Sequence, residues 1–250
     1  MESPGDPAPA LTRGLSLLQI LEREGASSLD QLTIHTAWPK SSVLRILRSL
    51  EAFGAVDRDP ASKRYRAALR LVPISAGGNR LHQAARSELV GLAETTGHSS
   101  ELFVWDGTEL VMIDRADPDA AEVVVRNRVG TSRNLDELEA VSQIVHAWSD
   151  TPPCPAYWAW VEGGVRGQLN AQAVTQRIET ARQGLGDDLA PNSFGIARLA
   201  APLRGPDGGL LGVLSLARLH SARTSNGDQR AAAALTATAA QISSRCGCPS

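Results

Sequence analysis

Between Leu11 and Ala67 the chain gives three helical signals in quick succession and then changes period, an order that few small folds accommodate. Leu15, Leu18 and Leu21 recur at helical spacing between Leu11 and Arg23, with Thr12 as candidate N-cap and Gly25 as the stop. Ser28, followed three residues later by Gln31, has the form of a capping box and opens a short helix to about Thr36. Pro39 sits where a first-turn proline belongs, and the helix it opens runs to about Phe53 before Gly54 ends it. Ala55 to Arg58 and Arg64 to Ala67 are short extended runs joined by the turn DPASK.

Two helices, a proline-initiated third and a hairpin form the layout of a winged helix-turn-helix, whose third helix enters the DNA major groove. At roughly 100° per residue, Val43, Leu47 and Leu50 fall on one face of that helix, with Ile46 beside them. Arg45 points almost the opposite way, flanked by Ser41, Arg48 and Ser49, and Lys40 stands at the N-terminal entrance, where backbone amides favour a phosphate. Charge agrees with this placement. The whole chain of 250 residues carries a net −2, yet Leu11 to Arg70 holds ten Lys or Arg against six Asp or Glu. Both lysines, Lys40 and Lys63, lie there, and local positive charge suits a polyanion. A solvated amphipathic helix would show the same face, and a protein-binding module is the competing expectation.

The composition of residues 1–10, with three prolines and a glycine, predicts a disordered tail. Leu69 to Ile74 leads through Gly77 and Gly78 into a connecting helix over Arg80 to Thr95, with Leu81, Ala84, Ala85, Leu89 and Leu92 on one side. The rest reads as α/β: a hairpin around Asp106 and Gly107, a strand over AEVVVRNRV, a helix from Leu135 to Asp150, an irregular stretch from Pro152 to Gly167 and a helix from Asn170 to Gln183. IARLAAPLR and GLLGVLSLARL are paired strands around Gly205 to Gly209, and Gly227 to Arg245 is an alanine-rich closing helix.

Enzymatic signatures are weak. The chain has no Gly-x-Ser-x-Gly elbow, no phosphate-binding loop and no His-Glu-x-x-His, and His35, His82, His98, His146 and His220 lie far apart without ligand-spaced partners. Asp187-Asp188 reads as a solvated loop pair, and Cys246-Gly247-Cys248 as a frayed terminus. No catalytic residue, metal or cofactor is expected. The odd set Cys154, Cys246 and Cys248, without a signal peptide or a membrane-length apolar run, points to a reducing cytoplasm and away from the membrane.

The segment LTRGLSLLQILEREGASSLDQLTIHTAWPKSSVLRILRSLEAFGAVDRDPASKRYRAALRL resembles the N-terminal domain of the IclR family of bacterial transcriptional regulators, through Arg13, Gly25, Pro39-Lys40-Ser41-Ser42-Val43, Gly54 and Tyr65. The remainder is similar to the same family's GAF-like effector-binding domain, most clearly in GIARLAAPLRGPDGGLLGVLSL. The resemblance implies a two-domain α/β protein. A tail over 1–10 precedes a winged helix-turn-helix over 11–72; a linker helix over 73–96 leads to a GAF-like domain over 97–250. It also implies an operator of double-stranded DNA, a small-molecule effector and a homodimer or dimer of dimers; the alanines and leucines of the connecting helix make it the natural dimer contact, the alternative being that the same stripe packs on its own domain. Residue by residue it assigns Lys40, Ser41, Ser42, Arg45 and Arg48 to the groove and its phosphates, Arg13 to the backbone, and Arg58, Lys63 and Arg64 to the wing. Arg45, the most outward, is the candidate for reading a guanine.

The second domain departs from the family pattern where ligands are handled, so that either the effector differs or the domain keeps its fold for dimer contacts in a ligand-independent regulator with a vestigial effector site. SRNLDELEAVSQIVHAW stands where the family has a Leu-His-Ala-Thr-Ala type stretch, and Ser193 and Arg198 occupy the acidic and cysteine places before the late strands. Pocket candidates therefore follow from position: Trp105, Met112, Val125, Leu138, Val141, Gln143 and Ser193, with Arg128 and Arg133 as anchors for an acid. Trp148, Trp158 and Trp160 would line such a site or cap it, and the expected effector is larger and more hydrophobic than a simple aliphatic acid.

Overall fold

The computed structural model describes residues 6–68, 76–125, 127–161, 164–188, 190–219 and 225–248, so Leu69 to Ile74 and His220 lie outside the described residues. Two compact units result, Met1–Pro73 and Ile74–Ser250.

In the first unit, α1 (Pro9–Glu24), α2 (Leu29–Thr36) and α3 (Lys40–Phe53) precede the antiparallel hairpin β1 (Val56–Arg58) and β2 (Tyr65–Ala67). Leu17, Leu18, Leu21, Leu32, Val43, Leu47, Val56 and Tyr65 form its core. The capping box forms in full, with Ser28 accepting from the Gln31 amide and the Gln31 side chain accepting from the Ser28 amide. Helix α1 starts at Pro9, inside the segment expected as a tail, and Thr12 sits within the helix. The cap residue is Ala8, whose amide donates to Asp6 Oδ1 at 2.9 Å, and a proline at the helix start brings its φ already set. Pro39 stands one residue before α3, at its N-cap.

The second unit is a six-stranded antiparallel sheet in the order β5-β4-β3-β10-β9-β8, built from β3 (Ser99–Trp105), β4 (Leu110–Ala116), β5 (Ser132–Arg133), β8 (Gly186–Asp187), β9 (Ile196–Arg204) and β10 (Leu210–Leu219). Strand residues alternate between two cores. Leu102, Val104, Leu199, Leu214 and Leu216 pack beneath α4 (Ala76–Thr96) and α7 (Ser225–Arg245), while Phe103, Met112, Ala200 and Val213 pack beneath α5 (Ala140–Trp148). Helix α6 (Ala171–Arg182) adds Ala181 to the second core.

The described residues of AEVVVRNRV form no strand: the Arg115 guanidinium takes the Val125 carbonyl at 3.1 Å, and the chain rejoins the sheet only where Gly130 and Thr131 bond Met112. The stretch expected to be irregular holds a hairpin, β6 (Trp158–Val161) with β7 (Val165–Gln168). Residues 135–138 are not helical, because the Leu138 amide donates to the Trp158 carbonyl and the Trp158 amide to the Asp136 carbonyl. The leucines of α4 take the second of the two expected places, inside their own unit, with Leu81 and Leu89 fully buried against the sheet and α7. Cys246 and Cys248 are buried, and the Cys248 amide is tied to the Ser243 carbonyl at 3.0 Å, so the terminus is packed rather than frayed.

Gly212 marks the tightest approach in the sheet, where β10 is bulged against β9 and lies in regular register beside β3. A Cβ there would lie 2.2 Å from the Phe103 carbonyl oxygen and 2.9 Å from Leu81 Cδ2, so Gly212→Ala should destabilise the protein by about 1–3 kcal/mol. Gly91, exposed in the interior of α4 with open space at its Cβ position, should gain about 1 kcal/mol on change to alanine. Paired urea melts of the two variants check this; equal midpoints would contradict the packing described.

Candidate functional site

On the first unit, burial of Val43 and Leu47 fixes the rotation of α3 and leaves Ser41, Arg45 and Arg48 exposed along one outer face. Their spacing of four and then three residues is that of neighbours on a helix surface. Ser42 is half-buried beside them, and Lys40, exposed at the helix start, forms a surface ion pair with Asp30 that solvent weakens. Arg13 lies over the Trp38 ring at 5.4 Å, which holds it at the turn between α2 and α3.

The wing divides its basic residues by task. Arg58 lies over the Tyr65 ring at 5.3 Å, and Arg66 pairs with Asp57 at 3.0 Å. Arg64 turns inward: its Nε donates to the Ala26 carbonyl at 3.0 Å and its Nη2 to Gln31 Oε1 at 3.1 Å, so it braces the wing against the capping box of α2. Lys63 stays exposed at the wing tip, in the left-handed region with φ 58°. Asp59 shapes this tip by accepting from the Ser62 and Ala61 amides, which hold its carboxyl below the usual range.

In the second unit the position-based pocket residues do not converge on one cavity. Met112, Leu138 and Val141 are fully buried core, and Trp105 packs half-buried beside it. Gln143 ties α5 to β8, donating to the Leu138 and Asp187 carbonyls at 3.1 and 3.0 Å and accepting from the Asp187 amide. Val125 lines a small crevice of about 70 Å³ with His98 and Ala217, while Arg128 and Ser193 are exposed. The late tryptophans act as caps: Trp148 donates to the Ala181 carbonyl beneath Arg204, Trp158 lies beneath Arg166, and Trp160 is half-buried.

A charged cluster lies instead on the α5 side of the sheet. Arg198 in β9 is 2% exposed and its Nε donates to Glu101 Oε2 at 3.0 Å, with Nη1 4.0 Å from Glu139 Oε2. The Asp188 carboxylate accepts from the Arg198 amide at 2.9 Å and from the Ala140 amide, the first of α5, where the helix dipole favours negative charge. Asn127 donates to Glu101, Ser215 lies 3.5 Å from it, and Arg133 reaches Glu139 at 3.7 Å while covering the Phe103 ring. Thus Arg133 joins the cluster, whereas Glu101, Asn127, Glu139, Asp188 and Ser215 were missed; the acidic group comes from Asp188, not from position 193. Glu101 and Arg198, each a charge inside an apolar strand, were the available signal.

Opposed forces set the titration of this cluster. Burial works to raise Glu101, but the Arg198 charge and hydrogen bond outweigh it and leave the carboxyl below its ordinary range. Burial works against the Arg198 charge, and Glu101 with Glu139 more than restores it. Asp188 is pushed up to about 7 by burial and by Glu139 beside it, against the pull of Arg198. Burial and Arg198 together depress Arg133, whose Nε is buried with no hydrogen-bond partner among the described residues. No group of three or more His, Cys, Asp or Glu among the described residues is placed to hold a metal, and no described helix is long and apolar enough to cross a membrane.

Residues 10–60 match the IclR helix-turn-helix domain, and residues 76–244 match the bacterial transcriptional regulator IclR C-terminal domain. The HTH-type transcriptional regulator XynR of Escherichia coli K12 is 22% identical over 223 residues, which cover 85% of this chain and 86% of that protein. The fold is shared with an IclR transcriptional regulator from Alicyclobacillus acidocaldarius at 22% identity and TM-score 0.67, over 96% of this chain and 99% of that one. It is shared also with an IclR homologue from Microbacterium hydrocarbonoxydans, solved with 4-hydroxybenzoate, at 17% identity and TM-score 0.66, over 94% and 98% of the two chains. With both domain models matched in order across most of its length, the chain belongs to the IclR family of bacterial DNA-binding transcriptional regulators, a family of non-enzymatic proteins.

Proposed function

We propose that the protein binds a double-stranded DNA operator as a homodimer in the cytoplasm and that a small molecule in the second unit modulates this binding. The carrying observation is the outer face of α3, where Ser41, Arg45 and Arg48 stand exposed on a helix held from its other side by the buried Val43 and Leu47. Placed in the major groove, Arg45 is the residue to read a guanine through O6 and N7, with Arg48 and the serines beside it. Lys40, Arg13, Arg58 and Lys63 supply the sequence-independent phosphate term. Arg64 contributes by holding the wing in place. One winged domain offers a small interface, and two copies on paired half-sites multiply it.

Effector modulation is supported by the relative solved with 4-hydroxybenzoate and by Arg133, whose buried Nε is a donor left open at the edge of the charged cluster. An effector carrying one acidic group would find its donor there, with Phe103 and Trp105 as nearby apolar wall on the same strand.

Arg45→Ala should cost about 1–3 kcal/mol at a selected operator and relax one base position, while Lys63→Ala should weaken all sequences alike and flatten the salt slope by about one unit. Fluorescence anisotropy at several salt concentrations, with binding-site selection for each variant, measures both; an unchanged motif and affinity in Arg45→Ala would remove the assignment.

Asp188 gives a second expected outcome. A carboxyl whose folded pKa is raised to about 7 holds its proton longer folded than unfolded, so its contribution to stability is present at low pH and is lost as pH rises toward and through 7. Melting temperatures of the wild type should therefore fall relative to those of Asp188→Asn between pH 5 and 8, over and above any constant offset. Parallel curves would show that Asp188 titrates normally.

A further inference from the structure

Arg198 dominates the polar interior of the second unit. From β9 its side chain crosses β10, where its register partner is Ala217 and where Ser215 faces Glu101 of β3. Small side chains at 215 and 217 leave the space that the guanidinium fills. Its guanidinium meets Glu101 on β3 at 3.0 Å and faces Glu139, at the N-cap of α5, at 4.0 Å, while Asp188, just after β8, holds the Arg198 backbone amide. Neighbouring positive charge comes from Arg133, which pairs with Glu139, and from Arg177 of α6, which acts on Asp188 and Asp187.

Stability alone does not account for such a cluster. Buried ion pairs lose hydration on folding, and well-packed apolar residues commonly do as well in their place. Convergence of carboxylates from distant segments on one planar cation is how a site for a guanidinium ligand is built. Here the cation arrives on the chain's own strand.

We propose that Arg198 is a ligand held in cis: Glu101 and Glu139 form a guanidinium-binding cradle that the protein fills with its own side chain, with Asp188 fixing the backbone that carries it. An outside carboxylate entering this cradle meets like charges and must pull Arg198 away from Glu101, so the cradle is closed to acidic effectors. Any such effector is confined to the Arg133 side. This rests on the effector role proposed above only in naming what is excluded.

The test empties the cradle. Arg198→Ala should lower the melting temperature by about 10 °C, and millimolar ethylguanidinium chloride should restore several degrees of it while leaving the wild type unmoved. Adding Glu101→Gln to Arg198→Ala should abolish that recovery. In parallel, benzoate and a panel of small carboxylates are tested on the wild type and on Arg198→Lys, and any stabilisation should be the same in both. Arg198→Ala that folds and ignores alkylguanidinium ions overturns the proposal. So does a carboxylate that stabilises the wild type and loses its effect in Arg198→Lys, since Arg198 would then be the receptor for an external acid. If Arg198→Ala yields no folded protein with or without ethylguanidinium, the carboxylate comparison decides alone. Melting is read without DNA, so failure here leaves operator binding as a separate result.

Discussion

A charge pair that spans three strands organises the second unit. Arg198 on β9 reaches Glu101 on β3 across β10, and the two residues are 97 positions apart in sequence. Removing either partner strands a buried charge, a cost of about 3–5 kcal/mol, whereas together they satisfy one another and fix the register of the sheet's centre. The edge of the sheet depends on the same place. Asp188 bridges the Arg198 amide and the first amide of α5, and Gly186 lets β8 press so close to α5 that a Cβ would stand 2.4 Å from the Ala140 carbonyl oxygen. A second buried arginine, Arg218, repeats the theme at the far end of β10 by pairing with Asp187 and Asp228.

The first unit works by the opposite economy. Its core is apolar and small, and its charges are kept outside or given bracing tasks. Because Leu47 and Val43 fix α3 by packing, the outward direction of Arg45 and Arg48 is a consequence of burial rather than of any contact they make. Arg64, just before β2, is tied to Ala26 and to Gln31 of the Ser28–Gln31 cap, so the wing and α2 are held as one piece. The proposed groove-reading face of α3 is thus carried on a braced frame, as such a surface requires.

Legibility followed the range of the interactions. The capping box and the outer face of α3 could be read because each depends on residues within one or two helical turns. Strands β9 and β10 could be read because they are long and apolar around a glycine turn. The valine-rich segment 123–125 failed as a strand because a guanidinium ten residues earlier takes its carbonyl, and the Asn127 side chain beside it donates to Glu101. The hairpin of β6 and β7 escaped because each strand is only four residues long and β7, Val-Arg-Gly-Gln, is mostly exposed and carries no apolar alternation. Apolar pocket candidates such as Met112 and Val141 proved to be packing, since sequence position carries no information on whether a buried wall faces a space. The charged cluster was hidden for a sharper reason: Glu101, Glu139, Asp188 and Arg198 meet only through the sheet's order, and Asp187-Asp188 looks like loop until β8 is placed.

The account stands most directly on what the α3 face does to DNA. Full-length protein incubated with fragmented genomic DNA, followed by sequencing of the bound fraction across a salt series, measures it. The account predicts enrichment of a two-fold symmetric sequence whose half-sites are about one helical turn or a multiple apart, with affinity falling linearly against the logarithm of salt. Bound fragments that share no symmetric motif, or binding indifferent to salt, would contradict it.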